Sequence, residues 1–107
     1  MRTFTYDRTE SELHEIHLER RRQEELKAEG RFSHTPADGE LELPEPFKLA
    51  MIAEELGEVG RNVLARSELV ADGDISDAAL HKELCQVATL AVAWMERLTV
   101  RMEGDTK

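Results

Sequence analysis

Two short acidic segments hold the chemistry this sequence can offer. Glu54, Glu55 and Glu58 fall close together, and Glu55 and Glu58 stand one helical turn apart, pointing the same way. Further on, Glu83 and Gln86 are three apart, at the mouth of an apolar run. Two helices that each present an i, i+3 oxygen pair can meet around a hard cation. Magnesium takes oxygen ligands in octahedral geometry and keeps room for water and phosphate. Carboxylates held close together repel, which raises their pKa values unless a cation neutralises them. The plainer use of such a segment is a solvated face, with Glu58 paired to Arg61 or Asn62. Gln86 points the other way, because its sequence neighbours are apolar and a buried amide needs hydrogen-bond partners.

The elements that position these residues are helical. Aromatics are 5%, and Leu, Ala, Glu and Arg dominate, which favours helix over strand. A first helix is expected over residues 10–29, opened by a capping-box spacing of Thr9 and Glu12. Leu13, Ile16 and Arg20 share a face, so this helix packs on one side and shows its charges to solvent. Gly30 ends it, and residues 31–43 form a loop with a Pro36-Ala37-Asp38-Gly39 turn. Pro44 and Pro46 suit the first turn of a second helix over residues 45–66. There Leu49, Ile52, Leu56, Val59 and Val63 recur at spacings of three and four, which predicts a core stripe. Glu55, Glu58, Met51 and Asn62 lie opposite. Gly57 and Gly60 inside this helix each cost about 1 kcal/mol relative to Ala, a cost expected to be offset by close helix packing or by clearance for a ligand.

A break at Ala71-Asp72-Gly73-Asp74 follows, and Asp74 or Ser76 caps a third helix that runs to Arg101. Residues 84–95 of that helix, LCQVATLAVAWM, are apolar nearly all round and are expected to be buried on every side. In a chain this small only a bundle or an oligomer buries a helix so, and at least a dimer is expected.

With 107 residues the chain is expected to be one domain, residues 1–107, with 1–8 and 103–107 as flexible ends. At 40% apolar and 35% charged it is too apolar for a disordered chain and too charged for a membrane one. The apolar run over 84–95 is too short to span a bilayer, and residues 1–10 lack the apolar core of a signal peptide. Cys85 is the single cysteine, so neither an internal disulfide nor a zinc site of several cysteines can form, and a reducing cytoplasm is the default compartment. Fourteen basic against 23 acidic residues give a net charge of −9, which argues against nucleic-acid binding. An acidic chain still binds a polyphosphate when a divalent cation sits between them.

The acids and their surroundings resemble a known family. Glu54-Glu55-Leu56-Gly57-Glu58, then 24 residues, then Glu83-Leu84-Cys85-Gln86 is similar to the EExxE…ExxD pattern of the MazG-like nucleotide pyrophosphohydrolases, of the all-α NTP pyrophosphatase superfamily. The stretches AEELGEVGRNVL and KELCQVATLAVAWMERL look like short members of that group. Glu19-Arg20-Arg21-Arg22-Gln23, followed by a loop with His34, resembles its ERxRQ segment and histidine-bearing loop. The likeness covers most of residues 19–98. Two departures stand out. Gln86 replaces the last acid, offering an oxygen without charge, and Glu24-Glu25-Leu26-Lys27-Ala28 stands where lysine, tryptophan and glycine often follow ERxRQ. Phe32 is the aromatic left near that segment.

The resemblance implies an all-α helical bundle of the MazG-like type, its core completed by association as a homodimer or homotetramer. It implies hydrolysis of a nucleoside triphosphate to a monophosphate and pyrophosphate, dependent on Mg²⁺ or Mn²⁺. Glu55, Glu58 and Glu83 would hold the metal with Gln86 as a weaker ligand, and Glu54 would add a ligand or orient a water. Lys48, Arg61 and Lys82 are the cations expected to offset phosphate charge, and Arg22, Gln23 and His34 those expected to contact the nucleotide. The alternative is a catalytically degenerate module of the same fold that binds nucleotides or a protein partner.

Overall fold

The computed structural model describes residues 6–68 and 76–104. Three helices make up the fold: α1 (Tyr6–Ala28), α2 (Glu45–Glu68) and α3 (Asp77–Met102). No strand occurs among the described residues.

Local chemistry sets the helix limits. α1 is built of strong helix formers and laced by pairs one turn apart, Arg22 with Glu19, Arg20 with Glu24 and Arg21 with Glu25. It starts at Tyr6, so the Thr9–Glu12 spacing lies inside the helix and is not its cap. Glu12 instead reaches across to His81 on α3. Residues 6–8, expected as a flexible end, form the first turn of α1, while 103–104 close α3. Residues 1–5 and 105–107 lie outside the described residues. Gly30 ends α1 as expected, with φ at +76°, where a side chain would be strained, and the Arg31 N–H closes onto the Leu26 carbonyl at 2.8 Å. Pro44 directly precedes α2 and Pro46 sits in its first turn. Ser76 caps α3, its hydroxyl accepting from the Ala79 N–H at 3.1 Å. The 71–74 break, Asp74 included, lies outside the described residues.

α3 is the central element. α1 and α2 both pack on it and not on each other. Ion pairs at both ends, Arg66 with Asp77 and Arg101 with Glu45, fix α2 antiparallel to α3. α1 is tied to α3 by Arg20, which donates twice to Glu96 at 2.9 and 3.1 Å. The 31–43 loop is locked from below. Lys48, fully buried on α2, donates to the Asp38 carbonyl at 2.7 Å and to Glu40 at 3.0 Å, and Arg97 of α3 forks onto the same Glu40 carboxylate.

The interior that results is mostly polar. Among the described residues Leu43, Leu90 and Ala93 are the buried core hydrophobics, beside Arg20, Gln23, Thr35, Lys48, Asn62 and Thr89. The stripe expected to form the core of α2 therefore faces the wrong way for a single chain. Leu49, Leu56 and Val63 are exposed and Ile52 and Val59 only half-buried, while Lys48 and Asn62 turn inward. The reason is that α2 has one neighbouring helix, and the lysine side is the one that finds acceptors, Asp38 and Glu40 of the 31–43 loop. α3 likewise buries Thr89, Leu90 and Ala93 but leaves Leu84 and Met95 open, so it is not covered on every side within one chain. A Cβ on Gly57 or Gly60 would meet nothing within 4 Å, so neither glycine serves close helix packing inside the chain. No described helix is long and apolar enough to cross a membrane.

Candidate functional site

The acids predicted to act together do line one groove. Glu55 and Glu58 enter it from α2, and Lys82, Glu83 and Gln86 from the first turns of α3, around about 640 Å³ of open space floored by Ala78 and Ala79. The i, i+3 spacing on each helix brings each pair to the same side. The electrostatics are those of crowded carboxylates. Burial pushes the Glu55 carboxyl above its ordinary range; the charge of Glu58, a hydrogen bond shared with it, and the charges of Glu54 and Glu83 push the same way. One carboxyl oxygen of Glu83, Oε2, is buried without a hydrogen-bond partner. Glu54 is exposed beside the groove and acts on it through its charge. Among the described residues no three acidic, histidine or cysteine side chains stand close enough to form a finished metal cage.

Gln86 is engaged. Its amide nitrogen donates to Glu19 of α1 at 2.7 Å, and its oxygen accepts from Gln23 at 3.4 Å. Glu19 is held below the usual carboxylate range chiefly by Arg22, at 2.5 Å, against the effect of burial and with help from Gln86 and Lys82. An amide at position 86 can donate to that carboxylate, where an aspartate would repel it. A second depression of about 500 Å³ opens on this side, between Glu19 and Arg22 of α1 and His81, Lys82 and Cys85 of α3. Lys82 and Gln86 line both depressions, so the acids of α2 and the Glu19–Gln23 segment of α1 flank one continuous surface. Arg22 is open to it, whereas Gln23 is buried behind it at 3% exposure.

Three of the expected nucleotide contacts stand elsewhere. Lys48 cannot reach a phosphate in the groove, because it is 0% exposed and both its hydrogen bonds hold the loop. Arg61 is exposed on α2 outside the groove lining. His34 sits on the loop, its Nδ1 3.1 Å from Asp38. Burial acts to raise the Asp38 carboxyl, but Lys27 and His34 outweigh it and hold the group below its ordinary value.

Residues that sequence reasoning missed are the ones that fix this frame. Glu40 is drawn down to about 2 by its bonds to Arg97 and Lys48, and Asp38 gathers Lys27, His34 and the Thr35 N–H. Only Asp38 had a signal, as part of a turn-forming run; Glu40 and Arg97 are 57 residues apart in the chain and nothing local connects them.

Compared with known families, curated proteins and solved structures, the chain matches none.

Proposed function

We propose that this protein is a Mg²⁺-dependent nucleoside triphosphate pyrophosphohydrolase of the MazG-like type, converting an NTP or dNTP to the monophosphate and pyrophosphate in the cytoplasm. The observation that carries the reading is the single groove in which Glu55, Glu58 and Glu83 from two helices face one another beside Lys82. A donor set made of hard carboxylate oxygens, one of them buried with no partner and another with its pKa raised by its neighbours, fits a divalent cation. Glu55, Glu58 and Glu83 would hold it, with the Gln86 oxygen turned to it only at the expense of the Gln23 contact. When bound, the metal would polarise the phosphate and make hydroxide accessible near neutral pH.

The chain's own residues supply the rest. Lys82 offers a compact charge to a phosphate oxygen at the boundary of the two depressions. Arg22, beside it on α1, offers a planar fork once it leaves Glu19.

The degenerate alternative rests on one observation: Gln86 is satisfied by Glu19 and Gln23 and carries no charge. Thermal stabilisation by a nucleotide without turnover would favour it. Release of pyrophosphate in the presence of magnesium, abolished by Glu58→Gln, would favour the enzyme.

A further inference from the structure

We infer that the depression between α1 and α3 is a guanine pocket, with Glu19 as the residue that selects the base of the triphosphate. The inference rests on the proposed activity, in which Lys82 and the acid groove take the phosphates.

The depression has the size and the place for a nucleoside. Its volume of about 500 Å³ falls within the roughly 300–1,000 Å³ of small-molecule sites. It joins the acid groove through Lys82 and Gln86, so a triphosphate held at Lys82 has this space beside it for its base. Leu18 of α1 and Cys85 of α3 supply apolar lining for the faces of a flat ring.

The polar part of the lining is a carboxylate fixed in place. The Glu19 side chain is 12% exposed, and the Gln86 amide donates to its Oε2 at 2.7 Å. Its pKa lies below the ordinary carboxylate range, so it is charged at neutral pH. Glu15, the other carboxylate of the lining, is exposed and screened by water.

The partner that Glu19 already holds shows which base edge fits it. Arg22 lays a planar fork on the carboxylate, Nε on Oε1 at 2.5 Å and Nη2 on Oε2 at 3.0 Å. The N1–H and N2–H of guanine are the same pair of parallel donors on an N–C–N unit. Arg22 is more than half exposed, and an ion pair at such a site adds little stability, so exchanging one fork for the other costs little. Released, Arg22 turns to the phosphates beside Lys82. The second N–H of the Gln86 amide, next to Oε2, is then the donor for guanine O6. Other bases do not match. Adenine and cytosine set a ring-nitrogen acceptor beside the amino group, and uracil flanks its N–H with two carbonyls. Each turns a lone pair toward the carboxylate, which leaves a charged acceptor unsatisfied.

Calorimetric titration with magnesium and the α,β-methylene triphosphates of guanosine, inosine, adenosine, cytidine and uridine, which resist cleavage between the α and β phosphates, tests this. Wild type is expected to bind the guanosine analogue roughly 10–100-fold more tightly than the adenosine, cytidine and uridine analogues. Inosine, which lacks the 2-amino group, is expected to bind about tenfold more weakly than guanosine. Glu19→Gln keeps an acceptor for Gln86 but offers the base one acceptor and one donor, and is expected to lose the preference. Arg22→Met is expected to weaken all five analogues alike and to keep it. Should Glu19→Gln lose helical signal, the inosine comparison on wild type reads the same contact. Five analogues bound alike by wild type, inosine bound as tightly as guanosine, or a preference that survives Glu19→Gln in a folded protein overturns the inference and leaves the role of the acid groove standing. Binding of none of the five overturns both.

Discussion

Replacing Gln86 by aspartate sets two roles of this side chain against each other. In the metal-free protein the substitution removes the 2.7 Å hydrogen bond from the amide to the Glu19 carboxylate and puts a second carboxylate near it. A hydrogen bond to a charged acceptor is worth about 1.5–3 kcal/mol. The added like-charge repulsion, partly screened because the groove is open, brings the expected loss to about 2–4 kcal/mol. At about 4–8 °C per kcal/mol for a domain of this size, the melting temperature should fall by roughly 10 °C or more. With magnesium the sign changes. The new carboxylate adds a fourth charged oxygen beside Glu55, Glu58 and Glu83, and because wild type is stabilised by the cation too, a tenfold gain in affinity over wild type returns about 1.4 kcal/mol of the deficit at saturation. Differential scanning calorimetry of Gln86→Asp and wild type, with magnesium and with potassium at matched ionic strength, reads both terms. The expected pattern is a large deficit in potassium that shrinks in magnesium. An equal deficit in both salts would refute a metal-facing role for position 86 and leave Gln86 as a bridge between α1 and α3.

Three further outcomes follow from the same groups. Glu55 has a raised pKa, so the metal-free protein is relatively stable below the ordinary carboxylate value and loses that stability as pH rises through the folded value. Glu55→Gln should therefore melt higher than wild type at neutral pH without metal and lose that advantage near pH 4, as read by melting curves across pH. Lys48→Met should cost about 2–3 kcal/mol in urea unfolding, because it strips a fully buried cation from Glu40 and the Asp38 carbonyl, whereas Arg22→Met at the surface should cost under 1 kcal/mol. Gly57→Ala adds a methyl group into open space on a helix and should stabilise the chain by about 0.5–1 kcal/mol in the same assay.

The helices were legible because their signals are local. Gly30, Pro44, Pro46 and Ser76 mark ends that the structure has within a few residues of the expected ones. The groove was legible because i, i+3 spacing on a helix decides which carboxylates share a side. What periodicity could not decide is which face of α2 the chain itself covers. Leu49, Leu56 and Val63 give the pattern of a buried stripe whether the helix that buries them comes from the same chain or another. Lys48 reads as a phosphate-facing cation in the sequence because its acceptors, Asp38 and Glu40, lie on a loop whose path depends on Arg97 of α3. The same distance in sequence hid the pairing of Arg20 with Glu96, which ties α1 to α3 through a forked ion pair with a buried guanidinium and a half-exposed carboxylate.

The central claim is that Glu55, Glu58 and Glu83 form the working groove of a magnesium-dependent pyrophosphohydrolase. The direct test is pyrophosphate release from a panel of nucleoside triphosphates, canonical and modified, by wild type, Glu55→Gln and Glu58→Gln, with magnesium and with excess chelator. Wild type should release pyrophosphate and the matching monophosphate from at least one of them, only with the metal, and both variants should lose that turnover while keeping their helical content. Turnover that survives either substitution, or a folded wild type that releases no pyrophosphate from any member of the panel, would contradict it.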